Sequence, residues 1–330
     1  MTEPSITDWA ARIMAGDRRA LALAITLTES QRIDHRTEAD ALLNLIWSRT
    51  GHAIRIAISG PPGVGKSTFI ETLGTHALAA GRRIAVLAID PSSRLSGGSI
   101  LGDKTRMETL TRHANAYIRP SPAGETLGGV ARRTREAIAL CEAAGFDLVI
   151  IETIGVGQSE LTAANMVDMF ILLLAPAGGD DLQGIKRGIV EIADLLLINK
   201  SDGDLEIAAK RSETDYANAL RLLRPVSTDW QPQVHRCSAL TGYGIDIVWS
   251  TILAHATAIT TSGERDRRRC QQDILWFREE LRERLLNFFE VDPSLRLFIP
   301  RIEEDVRRHI LAPPTAAQRI LNTLPLPRER

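Results

Sequence analysis

Three absences narrow the classes of protein to which this 330-residue chain can belong. Cysteine is scarce, and Cys141, Cys237 and Cys270 lie far apart, without the paired spacing of a disulfide framework or a zinc site. No apolar run approaches the roughly 20 residues of a membrane-spanning helix. The formal net charge is −1, so no excess of positive charge indicates binding to nucleic acid or to an anionic membrane.

The first residues, Met1 to Trp9, lack the basic-then-apolar pattern of a secretory signal peptide. Together with the pattern of reduced thiols, this leads us to expect a cytoplasmic protein. Hydrophobic residues make up 44% of the chain, which is enough to bury a large core.

One stretch dominates the sequence: Gly60-Pro61-Pro62-Gly63-Val64-Gly65-Lys66-Ser67-Thr68. It fits the phosphate-binding pattern G-x-x-x-x-G-K-[ST], follows a short apolar run and precedes helix-like spacing. The glycines let backbone N–H groups turn towards phosphate, and the helix N-terminus adds partial positive charge. We expect Lys66 to reach the β- and γ-phosphates and the Ser67 hydroxyl to bind Mg²⁺. The sequence therefore predicts a bound nucleotide.

Apolar runs alternate with helix-like segments from residue 54 to about 255, which is typical of a parallel α/β sheet. We predict a P-loop NTPase fold: a mostly parallel sheet flanked by helices, with N-terminal helices and a C-terminal helical arm. The predicted parts are residues 1–50 for the N-terminal helices, 51–258 for the P-loop domain and 259–330 for the arm. The predicted strands are residues 54–59, 84–89, 148–151, 169–174, 195–198 and 234–237.

Acidic residues follow two of these strands, at the sheet edge where such folds bind their ligands. Asp90 follows the second predicted strand and Glu152 the third, and each carboxylate can bind Mg²⁺ directly or through water. Gly155 can offer its backbone N–H to a γ-phosphate. The alternative role for a strand-end acid is to cap a helix, and this alternative weighs more for Asp90 than for Glu152.

The fifth predicted strand is followed by Asn199-Lys200-Ser201-Asp202, the N-K-x-D form that selects guanine. The Asp202 carboxylate can accept from guanine N1–H and the 2-amino group, a donor pair that adenine lacks. Lys200 can lie along the base, and Asn199 can tie the loop to its neighbours. A backbone N–H for guanine O6 is expected from the triplet after the last predicted strand, Ser238, Ala239 and Leu240. GTP or GDP is therefore the predicted nucleotide.

With these motifs the chain resembles the MeaB/ArgK family of GTPases, to which the human methylmalonic aciduria type A protein belongs. The resemblance covers nearly the whole chain. The stretches that carry it are residues 60–68, 90–93, 97–107, 152–160, 179–186, 199–202 and 238–244. Two small departures are Gly178-Gly179-Asp180-Asp181, where members usually read Ala-Gly-Asp-Glu, and Ser201, where they read Ala. Neither changes the expectation of GTP binding.

The resemblance implies a catalytic Mg–GTP centre formed by Lys66, Ser67, Asp90, Asp103 and Glu152. It implies that Asp90, Asp103 and Arg106 belong to a first switch region and Gly155 to a second.

A further switch is implied at residues 180–186, where Lys186 would relay the nucleotide state to a partner enzyme. Composition alone favours an ordinary polar loop there. The residue that orients the attacking water stays open among Asp103, Glu152 and Gln158.

Beyond residue 255 the pattern changes to a charge run, residues 264–269, followed by an amphipathic stripe. The charge run carries interleaved acids, so we interpret it as a solvated helix face. The stripe consists of Ile274, Phe277, Leu281, Leu285 and Phe288. We predict further helices at residues 302–311 and 316–324. The family resemblance implies that this arm forms a homodimer.

The resemblance also implies a function: a GTP-hydrolysing chaperone of an adenosylcobalamin-dependent acyl-CoA mutase, above all methylmalonyl-CoA mutase. It would gate cofactor loading and protect or reactivate the mutase. Two alternatives stay open. One is a P-loop kinase linked to amino-acid transport, a label once given to this family, although Asp202 argues against ATP. The other is a nickel-delivery GTPase, although such proteins tend to carry His- or Cys-rich tracts and the seven histidines here are scattered.

Overall fold

The structure, a computed structural model, describes residues 5–30, 32–89, 107–119, 127–153, 159–176, 187–222 and 227–323. In these ranges the strands are β1 (Ile54–Ser59), β2 (Ile84–Ile89), β3 (Ala116–Arg119), β4 (Leu148–Thr153), β5 (Met169–Leu174), β6 (Leu195–Ile198) and β7 (Gln233–Arg236). The helices up to β7 are α1 (Ile6–Met14), α2 (Arg18–Thr28), α3 (Ile33–Ile46), α4 (Lys66–Ala79), α5 (Glu108–Arg112), α6 (Leu127–Ala143), α7 (Ser159–Ala164), α8 (Arg187–Glu191) and α9 (Glu206–Leu220). The helices after β7 are α10 (Ile245–Thr261), α11 (Glu264–Val291), α12 (Pro293–Arg307) and α13 (Pro313–Leu321).

A seven-stranded parallel sheet forms the centre of the described chain, in the order β3-β2-β4-β1-β5-β6-β7. Strands β4, β5 and β6 are buried along their whole length, because helices cover both faces of the sheet. The predicted fold, a P-loop NTPase with a parallel sheet flanked by helices, is confirmed. All carboxyl ends lie at one edge, so the loops after β1, β6 and β7 open towards the same side of the sheet.

The structure corrects three details of the predicted strands. Strand β3 was not predicted, because it has four residues at the sheet edge and ends in Arg119, so its apolar pattern is short. Strand β4 continues to Thr153, which places Glu152 inside the strand and opposite Ile58 of β1. Strand β7 begins and ends one residue earlier than predicted, so Cys237 follows it.

The N-terminal helices α1, α2 and α3 pack against α6 and cover one face of the sheet. Their apolar side chains, among them Ile13, Leu21 and Leu42, join a buried cluster that includes Val149 of β4 and Phe170 of β5. A second buried cluster lies on the other face, where α4 and α10 pack. The chain divides into two compact units, residues 1–272 and 273–330. The functional division at residues 50 and 258 stays a prediction.

The C-terminal unit is helical, and its helices differ from the predicted ranges. Helix α12 begins at Pro293, nine residues before the predicted start, because Asp292 accepts hydrogen bonds from the backbone N–H groups of Ser294 and Leu295 at 2.9 and 3.0 Å. Pro300 lies inside this helix, where a proline is uncommon because it removes a backbone hydrogen bond. Helix α13 begins at Pro313 and ends at Leu321. Among the described residues, no helix is long and apolar enough to cross a membrane.

A buried ion pair lies at the amino-terminal edge of the sheet, opposite the edge where the motif loops emerge. Asp168, just before β5, accepts two hydrogen bonds from Arg269 of α11, at 2.8 and 2.6 Å. The same guanidinium donates to the carbonyls of Gly51 and Ala53 at 2.6 Å each. Burial alone would raise the pKa of Asp168, but the hydrogen bonds and charge of Arg269 outweigh it and hold that pKa below its ordinary value.

We predict that Arg269→Met lowers the free energy of unfolding at pH 7 by about 3–5 kcal/mol, because the buried Asp168 carboxylate loses its ion-pair partner and keeps, among the described residues, only the hydrogen bond from the backbone N–H of Arg55. In the wild-type protein, the lowered pKa of Asp168 stabilises the fold above about pH 4, and this contribution is lost as the pH falls further. In the variant, desolvation should raise that pKa, so the protein gains stability as Asp168 is protonated. The difference between the two proteins should therefore shrink between pH 7 and pH 4.

Chemical denaturation across this pH range measures both effects. Arg267→Met is the matched control, because Arg267 lies on the same helix with a largely exposed side chain and should change stability by less than about 1 kcal/mol. Equal stability of the two variants at pH 7 would contradict the assignment.

Candidate nucleotide-binding site

The loop between β1 and α4 approaches its neighbours so closely that two of its positions have no room for a side chain. A Cβ on Gly60 would lie 2.4 Å from the carbonyl oxygen of Leu173, and one on Gly65 would lie 2.9 Å from Nδ2 of Asn199. Gly65 also has φ = 96°, in the left-handed region that glycine favours, and helix α4 begins at the next residue. The structure thus explains two of the glycines by which the phosphate-loop motif was recognised.

Lys66, the first residue of α4, lies over this loop. Its ammonium group donates to the carbonyls of Gly60 and Pro61 at 2.6 and 3.2 Å. Burial lowers the pKa of Lys66, and the charges of Glu152 and Glu160 oppose that shift. Thr68 lies in the same first turn of α4. The Lys66 ammonium is therefore held beside the backbone of the phosphate loop, a position suited to binding a phosphate chain.

Ser67 and Glu152 meet at the carboxyl end of β4. The Ser67 hydroxyl donates to Oε1 of Glu152 at 3.0 Å, and the Glu152 side chain is buried, with 4% of its surface exposed. A hydroxyl and a carboxylate oxygen side by side are the kind of ligand that Mg²⁺ accepts. The two predicted metal ligands within the described ranges are therefore brought together.

Several other predicted site residues lie outside the described residues, and their roles stay predictions. They are Asp90, Asp103, Arg106, Gly155, Gln158 and Lys186.

Asn199, which follows β6, connects the phosphate loop to the last loop of the site. Its side-chain amide donates to the carbonyl of Val64 at 2.8 Å, and its Oδ1 accepts from the backbone N–H of Ala239 at 2.9 Å. Asn199 is almost completely buried. The sequence predicted that Asn199 ties its loop to neighbouring loops, and the structure identifies Val64 and Ala239 as the two partners.

Lys200 makes a second contact between the two motifs. Its ammonium group donates to the carbonyl of Gly63 at 2.7 Å, and its backbone has φ = 59°, which is uncommon for a residue other than glycine. Ser201 is buried, and its hydroxyl donates to the carbonyl of Ile198 at 2.7 Å, so the departure from alanine at this position is accommodated. The half-buried Asp202 follows, at the start of a short 3-10 turn.

The residues after β7 form the remaining wall. The N–H of Ser238 donates to the carbonyl of Tyr243 at 2.9 Å, and Ser238 and Ala239 are buried whereas Leu240 is 81% exposed. The N–H of Ser201 donates to the carbonyl of Cys237 at 3.0 Å, which joins this loop to the N-K-x-D loop. The phosphate loop, the N-K-x-D loop and the Ser-Ala-Leu loop therefore form one hydrogen-bonded site.

Comparison with known proteins identifies the family. A family model described as methylmalonyl-CoA mutase-associated GTPase MeaB matches residues 21–294. The chain belongs to the MeaB family of GTPases. Similar proteins include a putative GTPase of Caulobacter vibrioides, 55% identical over 94% of this chain and 95% of the relative.

Two further relatives carry names that bear on function. The mouse methylmalonic aciduria type A homolog is 49% identical over 94% of this chain and 77% of its own, and Escherichia coli GTPase ArgK is 43% identical over 97% of each chain. A crystal structure titled LAO/AO transport system kinase has a TM-score of 0.75 and 37% identity, and the match covers 98% of each chain. The resemblance recognised from the motifs is confirmed, and this MeaB-family chain is a GTPase by family.

Two residues of α4 that the sequence analysis did not single out contact the Ser-Ala-Leu loop and helix α5. Thr72 donates to the carbonyl of Ala239 at 2.7 Å, and the carboxylate of Glu71 accepts from the N–H groups of Thr109 and Leu110 at 2.6 and 3.4 Å. Thr72 has the four-residue spacing from Thr68 that places both on one helix face, but nothing local in the sequence indicates a partner so far along the chain.

We predict that Asn199→Ala lowers the free energy of unfolding by about 2–4 kcal/mol, measured without nucleotide. The change leaves the Val64 carbonyl and the Ala239 N–H without their buried partner. Asn218→Ala, on the exposed face of α9, is the matched control and should change stability by less than about 0.5 kcal/mol. Similar values for the two variants would contradict the connecting role of Asn199.

Proposed function

We propose that this MeaB-family GTPase is a chaperone of an adenosylcobalamin-dependent acyl-CoA mutase, with methylmalonyl-CoA mutase as the expected client. In this proposal it acts in the cytoplasm as a homodimer, gates cofactor loading, and protects or reactivates the mutase. The observation that carries the proposal is similarity over nearly the whole chain to the mutase-associated family and to the methylmalonic aciduria type A homologs. The similarity extends well beyond the nucleotide motifs that all P-loop proteins share.

The nucleotide is GTP, and the base is selected by Asp202. Asn199 and Lys200, in the same loop, are hydrogen-bonded to the phosphate loop. The loop that binds the base and the loop that binds the phosphates are therefore held at a fixed separation. Among the described residues Asp202 forms no ion pair, which leaves its carboxylate available to accept from guanine N1–H and the 2-amino group. This arrangement supports selection of guanine over adenine.

In the proposed phosphate site, Lys66 donates to the β- and γ-phosphates. Charged phosphate oxygens are stronger acceptors than the two carbonyls that Lys66 contacts in the structure. Backbone N–H groups of residues 63–68 would surround the phosphates, as the left-handed glycines allow.

The oxygen ligands Ser67 and Glu152 fit Mg²⁺, and we propose that Asp90 and Asp103 complete the set. Bound Mg²⁺ would supply charge neutralisation at the phosphates. The contact between Ser67 and Glu152 supports a metal-binding role for Glu152, and the residue that orients the attacking water stays open among Asp103, Glu152 and Gln158.

The remaining part of the proposal concerns communication with the mutase. Residues 97–107, the Gly155 region and residues 180–186 are the proposed switches, with Lys186 at the partner surface. Slow hydrolysis alone and faster hydrolysis on the mutase are expected, because a partner that contacts the switches can position the residues that orient the attacking water.

We predict that Asp202→Asn weakens GTP binding by about a hundredfold, because an amide N–H faces the guanine 2-amino group where an acceptor is required. The same variant should gain affinity for xanthosine triphosphate, whose 2-oxo group accepts from that amide. Competition titrations with a fluorescent nucleotide measure both. Asp204→Asn, two residues along and exposed, is the matched control and should bind GTP as the wild-type protein does.

The same variant tests the function in the mutase assay. Cofactor loading and inactivation of methylmalonyl-CoA mutase are followed with and without the GTPase. We expect the wild-type protein to promote cofactor loading and to slow inactivation of the mutase when GTP is present. The Asp202→Asn variant should do so with xanthosine triphosphate but not with GTP. Mutase time courses that do not respond to the wild-type protein with GTP would contradict the chaperone role.

One observation favours a second candidate, a kinase, because the similar crystal structure is titled LAO/AO transport system kinase. ATP binding distinguishes the two. Tight binding of ATP in competition with GTP would support the kinase, whereas strong preference for GTP supports the GTPase.

A further inference from the structure

Thr72 lies one turn beyond the phosphate-binding residues of α4, and its hydroxyl has two candidate acceptors. The carbonyl of Ala239 lies at 2.7 Å and the carbonyl of Thr68, within the same helix, lies at 3.0 Å. A hydroxyl has one proton to donate, and the Thr68 carbonyl already accepts the helical N–H of the residue four positions on. The shorter contact, to Ala239, is therefore the one that the proton serves.

This hydrogen bond fixes one end of a particular peptide group. The carbonyl of Ala239 and the N–H of Leu240 belong to the same planar trans peptide, so they point in opposite directions. Thr72 on the carbonyl side therefore sets the direction in which the Leu240 N–H points, which is away from α4.

The neighbouring N–H groups of this loop are already engaged. Ser238 N–H donates to the carbonyl of Tyr243, and Ala239 N–H donates to Oδ1 of Asn199, each at 2.9 Å. Within the described parts of the chain, the N–H of Leu240 has no acceptor. It is thus the donor of the Ser-Ala-Leu triplet that remains for a ligand.

We propose that Thr72 is a positioning residue for guanine recognition, which holds the Ala239–Leu240 peptide so that the Leu240 N–H donates to guanine O6. The proposal rests on the guanine site described above. Asn199 holds the amide side of Ala239 and Thr72 holds its carbonyl side, so two side chains from different elements fix one loop residue. Because Lys66, Ser67 and Thr72 share one helix, the phosphate end and the O6 end of the site are built on the same rigid element.

The test replaces Thr72 by Val, which keeps the branched shape and removes the hydroxyl. Dissociation constants are measured for three nucleotides. GTP carries every recognised group, 6-thio-GTP replaces O6 by sulfur, a weak acceptor, and ITP lacks the 2-amino group that Asp202 accepts from.

We expect Thr72→Val to weaken GTP and ITP binding by about threefold to tenfold, the effect of one hydrogen bond. Binding of 6-thio-GTP should change by less than about twofold, because its sulfur accepts only weakly from the Leu240 N–H. The preference for GTP over 6-thio-GTP should therefore fall, while the preference for GTP over ITP stays constant.

Two control variants separate positioning from general damage to α4. Thr75→Val removes a hydroxyl of the same helix that donates only to its own turn, to the carbonyl of Glu71 at 2.7 Å, and should leave all three affinities unchanged. Thr72→Ser restores a hydroxyl and should restore the preference for O6.

Equal weakening of all three nucleotides by Thr72→Val, or no change at all, would overturn the role of Thr72. A wild-type protein that does not prefer GTP over ATP would instead contradict the guanine site itself. The two failures are therefore distinguishable in one set of titrations.

Discussion

The nucleotide site depends on one buried amide, that of Asn199. It bonds the phosphate loop through Val64 and the last loop through Ala239, and it lies so close to Gly65 that a Cβ there would lie 2.9 Å from Nδ2. Buried polar groups must be paired, so each of these loops holds the others in place. Three motifs that are far apart in sequence thereby form one surface.

Helix α4 is the second organising element of the site. Its first turn carries Lys66 and Ser67, its second turn carries Thr72, and Glu71 accepts from the first N–H groups of α5. A Cβ on Gly74 of the same helix would lie 2.8 Å from Leu110, so α5 packs directly on α4. The helix that carries the phosphate-binding residues therefore also contacts the Ser-Ala-Leu loop and helix α5.

At the amino-terminal edge of the sheet, charged side chains pair with one another. Arg269, Asp168 and Glu142 are buried there beside the half-buried Arg55, whose guanidinium lies 2.8 Å from the Glu142 carboxylate. These groups are costly to bury and are retained because each has its partners. The start of α11 is fixed to the sheet by charge pairing, whereas the strands themselves are held by apolar packing.

Glycine spacing and continuous apolar runs are local signals, so the nucleotide site, the α/β class and six of the seven described strands could be predicted from the sequence. Strand β3 was not predicted because a four-residue edge strand has little apolar pattern. The first nine residues of α12 were not predicted, and they include Pro300, a residue that is unusual inside a helix. The hydrogen-bond partners of Asn199, Arg269 and Thr72, in contrast, could be identified only in the folded chain. Those hydrogen bonds join residues up to 218 positions apart, and which side chains meet across such a separation depends on strand order, which no local pattern records.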